Sequence, residues 1–122
     1  MRYYTEDHEW IEVSGDSAII GITEYAAEQL EGKVKLELPD EEDAFIVGDD
    51  MGAVIAGDDC FELPAPVSGT ITMLNEALLE EPELILDSPE DKAWICRMSE
   101  IDESELDDLM NHNAYLRYIS NL

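Results

Sequence analysis

The stretch Lys33-Val34-Lys35-Leu36-Glu37-Leu38 alternates strictly. Val34, Leu36 and Leu38 fall on one side, and Lys33, Lys35 and Glu37 on the other. A period of two marks a strand with one face buried and the other in water. Pro39 follows and stops the strand, because it brings no N–H to a ladder.

The same pattern continues in both directions. Upstream, Trp10-Ile11-Glu12-Val13 reads as a strand, Ser14-Gly15-Asp16-Ser17 as a turn, and Ala18-Ile19-Ile20-Gly21-Ile22 as the hairpin partner. Thr23 is placed as a helix N-cap, with Glu24 in the first turn where the helix dipole favours an acid. A short helix is expected over residues 25–30, stopped near Gly32. Downstream, Phe45-Ile46-Val47 reads as a strand running into a Gly48-Asp49-Asp50 turn. Ala53-Val54-Ile55-Ala56, Gly57-Asp58-Asp59 and Cys60-Phe61-Glu62-Leu63 read as strand, hairpin tip and returning strand. A tight turn at Ser68-Gly69 opens a further strand, and Trp94-Ile95-Cys96-Arg97-Met98 is the last. Between them, residues 80–89 read as a loop holding the apolar patch Leu84-Ile85-Leu86. Asp102 and Glu105 have capping-box spacing, Leu106, Leu109 and Met110 recur at helical spacing, and residues 114–119 form a last helical turn or two. The expectation is an all-β, flattened barrel or sandwich with small helices at its edges, as a single domain over residues 1–122.

The charge narrows the partners. Thirty-one acidic residues face six basic ones, for a formal net charge of -25. Nucleic acid and anionic membrane surfaces are excluded by repulsion. Basic partners fit, although solubility is the plainer role of such a surface. The first residues turn acidic at once without an apolar signal region, and no apolar run approaches membrane-spanning length. Cys60 and Cys96 form neither a CxxC nor a zinc spacing. They read as two reduced, buried thiols of a cytoplasmic protein.

Residues that carry chemistry are scarce. There is no phosphate-cradling glycine loop, no metal-ligand cluster and no nucleophile elbow. The acidic runs lack the alternating ligands and turn glycine of a calcium loop. His8 and His112 are isolated, and among thirty-one carboxylates no acid–base pair can be singled out. The expectation is a protein without catalytic residues, metal or enzymatic activity of its own.

A series of motifs nevertheless resembles the glycine cleavage H-protein family. Tyr4 and His8-Glu9-Trp10 resemble the family's opening tyrosine and His-Glu-Trp triplet. Gly21-Ile22-Thr23-Glu24-Tyr25-Ala26 resembles its Gly-Ile-Thr-Asp-Tyr-Ala segment. Pro66-Val67-Ser68-Gly69, Asn75, Pro82-Glu83-Leu84, Pro89, Trp94, residues 105–110 and Ala114-Tyr115 continue in family order and spacing over nearly the whole chain. The resemblance implies a lipoyl/biotinyl-type flattened barrel-sandwich of two antiparallel sheets, with a short helix in the N-terminal third and another at the C-terminus. It also implies a carrier: a hairpin-tip lysine holds lipoate through an amide, and the arm moves an aminomethyl group between the enzymes of glycine cleavage.

The attachment segment departs from that pattern. The family reads roughly Val-Glu-Ser-Val-Lys-Ala there, and counting back from Pro66 places its lysine at Asp58. Ile55 stands where the family has its glutamate, and the chain's lysines are Lys33, Lys35 and Lys92, none on this segment. Glu9 and Glu62 align with acidic positions that lie near the loaded arm in the family, and Glu9 is read as a retained feature of the fold. The resemblance therefore implies an H-like protein without lipoate or any other cofactor. It would act as a monomeric binding or regulatory homologue towards glycine cleavage or lipoate-handling enzymes. The alternative is a genuine H protein that shuttles the aminomethyl group by an unusual attachment.

Overall fold

The computed structural model describes residues 2–122. Its strands are β1 (Arg2–Tyr4), β2 (Glu9–Ser14), β3 (Ser17–Ile22), β4 (Val34–Glu37), β5 (Ala44–Phe45), β6 (Asp50–Ala56), β7 (Asp59–Pro64), β8 (Gly69–Leu74) and β9 (Cys96–Ser99). The helices are α1 (Glu24–Glu28), α2 (Glu76–Glu80), α3 (Leu84–Asp87) and α4 (His112–Ser120), with a 3-10 helix over Glu103–Asp108. Six strands form one sheet in the order β1-β2-β3-β9-β8-β5, and three form the other in the order β4-β6-β7. Every pairing is antiparallel. The all-β, two-sheet expectation holds, including the short helix at Thr23 and the C-terminal helix.

The main core lies between the sheets. Ile11, Ile20 and Ile71 come from the six-stranded sheet, and Val54, Ala56 and Leu63 from the three-stranded one. The alternation that defines β4 places Val34 in this core and leaves Lys35 and Glu37 exposed. A second, aromatic cluster of Tyr4, Trp10 and Tyr115 joins β1 and β2 to α4. Trp10 lies over Gly21, its cross-strand partner, and its indole N–H donates to the Pro89 carbonyl at 2.9 Å. The Arg2 guanidinium covers the same ring at 4.3 Å. A Cβ at position 21 would stand 2.6 Å from the indole, so only glycine lets the ring lie flat there.

Local competition explains where the structure departs from the pattern. Ile46 and Val47 do not extend the strand at β5 and are 67% and 46% exposed. The Asp49 carboxylate accepts the Ile46 N–H at 2.9 Å, and the Val47 N–H goes to the Ser68 hydroxyl at 2.9 Å, so their ladder donors are taken by a turn. Leu84-Ile85-Leu86 is not loop but the body of α3, formed because burying Ile85 completely calls for satisfied backbone around it. α2, which the pattern did not suggest, follows Asn75. The Asn75 amide donates inward to the Lys92 and Trp94 carbonyls at 2.9 and 2.8 Å. The capping box closes only on one side. Asp102 caps the Ser104 N–H at 3.1 Å, while Glu105 turns away to accept from Ser68. Cys96 is buried as expected, but Cys60 is exposed on the edge strand β7. Among the described residues no helix is long and apolar enough to cross a membrane.

Candidate functional site

β6 and β7 form the hairpin that the sequence suggested. Ala56 pairs with Asp59, which leaves Gly57 and Asp58 as a two-residue tip. Gly57 has φ 59°, as the first central residue of a two-residue hairpin loop often does. It also comes close to the chain that leads into β4. Its N–H donates to the Lys33 carbonyl at 3.3 Å, and a Cβ on it would stand 2.8 Å from the Glu31 carbonyl oxygen. Glycine is required there both by the positive φ and by this approach. Asp58, Asp59 and Cys60 follow, all exposed. The tip therefore projects into water with two adjacent carboxylates.

Beside the hairpin lies a groove of about 490 Å³. The turn between β1 and β2 supplies Glu6, Asp7 and His8. The other wall carries Gly48, Asp50, Phe61, Glu62 and Pro64. Glu62, singled out in the sequence, lines this groove. Glu6, Asp7, His8 and Asp50 join it there, and no sequence signal had singled them out as a group. His8 takes a positive φ of 65°, and its Nδ1 meets the Tyr115 hydroxyl at 2.9 Å. That hydroxyl also shares a proton with Thr23 Oγ1 at 2.7 Å. Burial pushes the Tyr115 phenol up to about 12 and lowers the His8 imidazole, so both are neutral partners at pH 7.

Glu9 does not line the groove. It is fully buried on β2, and neither carboxyl oxygen has a hydrogen-bond partner. Burial drives its carboxyl well above the ordinary range, and Asp7 pushes it the same way. The nearby Thr5 hydroxyl opposes this shift, but it forms no hydrogen bond with either oxygen, so burial prevails. The Cys96 thiol is pushed up to about 12, first by burial and then by the charge of the Glu9 carboxyl. Such a thiol is not a nucleophile at neutral pH. No group of three or more His, Cys, Asp or Glu side chains placed to hold a metal occurs among the described residues.

A flattened two-sheet sandwich that projects a tight hairpin tip beside an open groove is the architecture of a lipoyl-type carrier domain. The model of the glycine cleavage H-protein family matches residues 2–122. The chain is 42% identical over 116 residues to the glycine cleavage system H protein of Staphylococcus carnosus, covering 95% of this chain and 92% of that one. It is 42% identical over 117 residues to the corresponding protein of Dinoroseobacter shibae, covering 96% of each. The crystal structure of a glycine cleavage system H protein from Mycobacterium marinum superposes with a TM-score of 0.86 at 28% identity, covering 98% of this chain and 96% of that one. The chain belongs to the glycine cleavage H-protein family.

The residues at the tip do not fit the lipoyl group. An amide to lipoate needs an amine, and Asp58 offers a carboxylate. Lys35 lies on β4 opposite Ile55, and Lys92 lies in the loop between α3 and β9. Lys33 alone has a backbone hydrogen bond to the tip among these lysines.

Proposed function

We propose that this chain is an H-protein homologue that carries no lipoate and acts by binding rather than by carrying. Its partner is a component of the glycine cleavage system or an enzyme that handles lipoate, and the setting is the cytoplasm. The observation that supports this reading is the hairpin tip, which holds Asp58 followed by Asp59, and the count back from Pro66 aligns Asp58 with the family's lysine. A pocket shaped for a neutral lipoyl arm would have to desolvate two unpaired carboxylates, which is costly. A basic surface on the partner would accept them.

One observation favours a second reading, a genuine carrier with an unusual attachment. Lys33 is exposed, and its carbonyl is bonded to Gly57 at the tip. An acyl group there would start from the segment that leads into β4 rather than from the hairpin.

A reconstituted glycine–bicarbonate exchange assay with purified protein separates the two. The non-carrier reading expects no turnover and an unmodified intact mass from the native host. Turnover, or a lipoyl adduct mapped to Lys33, establishes the second reading instead. Binding to a basic partner should weaken with added salt, since exposed charges are screened over about 10 Å at 0.1 M.

A further inference from the structure

The turn between β1 and β2, which walls one side of the groove, is tied to α1 and α4 by a short chain of polar atoms. His8 Nδ1 lies 2.9 Å from the Tyr115 hydroxyl, which lies 2.7 Å from Thr23 Oγ1. Thr23 Oγ1 in turn accepts the Ala26 N–H at 3.3 Å as the N-cap of α1. We propose that this chain is a proton-operated latch: neutral His8 fastens the turn to α1 and α4, and protonated His8 releases the turn from α4.

The direction of the hydrogen bonds decides which state is closed. With Nδ1 bare, the Thr23 hydroxyl donates to the Tyr115 oxygen, and the Tyr115 hydroxyl donates to Nδ1. Every donor in the chain is then used. A proton on Nδ1 reverses the chain. The Nδ1–H donates to the Tyr115 oxygen, and the Tyr115 hydroxyl must turn to Thr23 Oγ1. The Thr23 hydroxyl hydrogen is left without an acceptor among the described residues, in a side chain with no exposed surface. An orphaned buried donor is destabilising. The Tyr118 hydroxyl adds a longer bond to the Glu6 carbonyl at 3.4 Å, which does not depend on His8.

The surroundings of His8 act in the same sense. Its ring packs on Tyr25 of α1 at 4.6 Å and on Tyr115 and Tyr118 of α4 at 5.9 and 6.0 Å. Burial among these rings lowers the imidazole pKa, ahead of an opposing pull from Asp7. Glu6, Asp50 and Glu62 line the same groove, and the buried Glu9 follows on β2. Their charges draw a proton to His8 in the open and the closed state alike. The two states therefore differ by the burial of the ring and the reversal of the chain. The closed state is fully favoured above about pH 6.5, the ordinary histidine value, and loses ground as pH falls below it.

The test is NMR of the ¹⁵N-labelled full chain as pH is lowered through the histidine range. The His8 imidazole and the amides of Asp7, Ala26 and Tyr115 should titrate together, with a midpoint below that of an ordinary histidine. The exchange protection of the α4 amides, corrected for the intrinsic rate, should fall several-fold over the same range. Tyr115→Phe keeps a ring to stack on Tyr4, 4.8 Å away, and removes the latch. Its His8 midpoint should rise by about half a unit, because the neutral imidazole loses a donor, and its α4 protection should no longer follow pH. His8→Asn, which tolerates a positive φ and does not titrate, should also abolish the response. Glu9→Gln should retain it, since Glu9 is outside the chain. A His8 midpoint that falls in Tyr115→Phe would make Nδ1 the donor at neutral pH and overturn the latch. A response that persists in Tyr115→Phe and His8→Asn, or vanishes in Glu9→Gln, would assign it to carboxylates and overturn the latch as well.

Discussion

The Gly57 N–H donates to the Lys33 carbonyl, so the hairpin tip is tied to the segment that opens β4. The tip is therefore a backbone-anchored platform, and the residue that follows Gly57 is presented to water by two adjacent strands rather than by a loose loop. That residue is Asp58.

Incubation with lipoate, ATP and a lipoate ligase should leave the wild-type mass unchanged. Asp58→Lys should gain a lipoyl adduct in a fraction of molecules, because the platform already presents position 58. Gly57→Val in that background puts the family's valine before the lysine but is strained at φ 59° with its Cβ on the Glu31 carbonyl, so the yield should rise only if the tip's backbone rearranges. Peptide mapping reads both outcomes. A wild-type adduct would reject the non-carrier reading.

Glu9 makes stability depend on pH. Burial raises its folded pKa well above the ordinary value of 4.5. The unfolded chain therefore releases this proton first as pH rises. Its contribution is fully present below about pH 4.5 and is lost progressively as pH climbs towards the raised folded value. Glu9→Gln cannot ionise. Thermal midpoints from pH 5 to 8 should fall more steeply for wild type than for Glu9→Gln, with the variant gaining relative to wild type as pH rises. Parallel curves would show that Glu9 is not the titrating group.

Ser68 is a junction of three segments. Its N–H and hydroxyl donate to the two Glu105 oxygens at 2.6 and 2.9 Å, its hydroxyl accepts the Val47 N–H, and its carbonyl accepts the Asp102 N–H at 3.1 Å. Ser68→Ala removes the hydroxyl's two bonds and should cost about 1–3 kcal/mol. The urea midpoint should drop with the slope unchanged. Glu105→Ala should cost a similar amount, and the double variant should cost less than the sum, because the two share one interaction.

Gly21→Ala places a methyl into the Trp10 ring. The ring must move, which strains its bond to the Pro89 carbonyl and its packing under Arg2. Overpacking of this kind should cost about 1–3 kcal/mol. A blue-shifted or quenched Trp10 emission that changes with the variant, together with a lower urea midpoint, would mark the displacement. An unchanged midpoint would mean that the indole is not held against Gly21.

The strands and their hairpins were legible because period-two alternation and turn residues are local. β4, the Gly15-Asp16 turn, the Thr23 cap and the Gly57-Asp58 tip each follow from a few consecutive residues. The exposed fate of Ile46 and Val47 was not legible, because it depends on Asp49 and Ser68 capturing their N–H groups. Glu105 had the right spacing for a capping box, yet a serine 37 residues away was the better donor. Cys60 looked like a core residue by composition, and its exposure follows from its place on the edge strand of the smaller sheet.

Sequence by itself determined that Gly57 and Asp58 form a hairpin tip, because the turn residues and the strands on either side of them are local. Only the tertiary structure decided what surrounds that position. It brought the Lys33 backbone against the tip, gathered Glu6, Asp7, His8 and Glu62 around one groove, and buried Glu9 without a partner. Those outcomes depend on how two sheets pack, and contacts between residues distant along the chain leave no periodic trace in it.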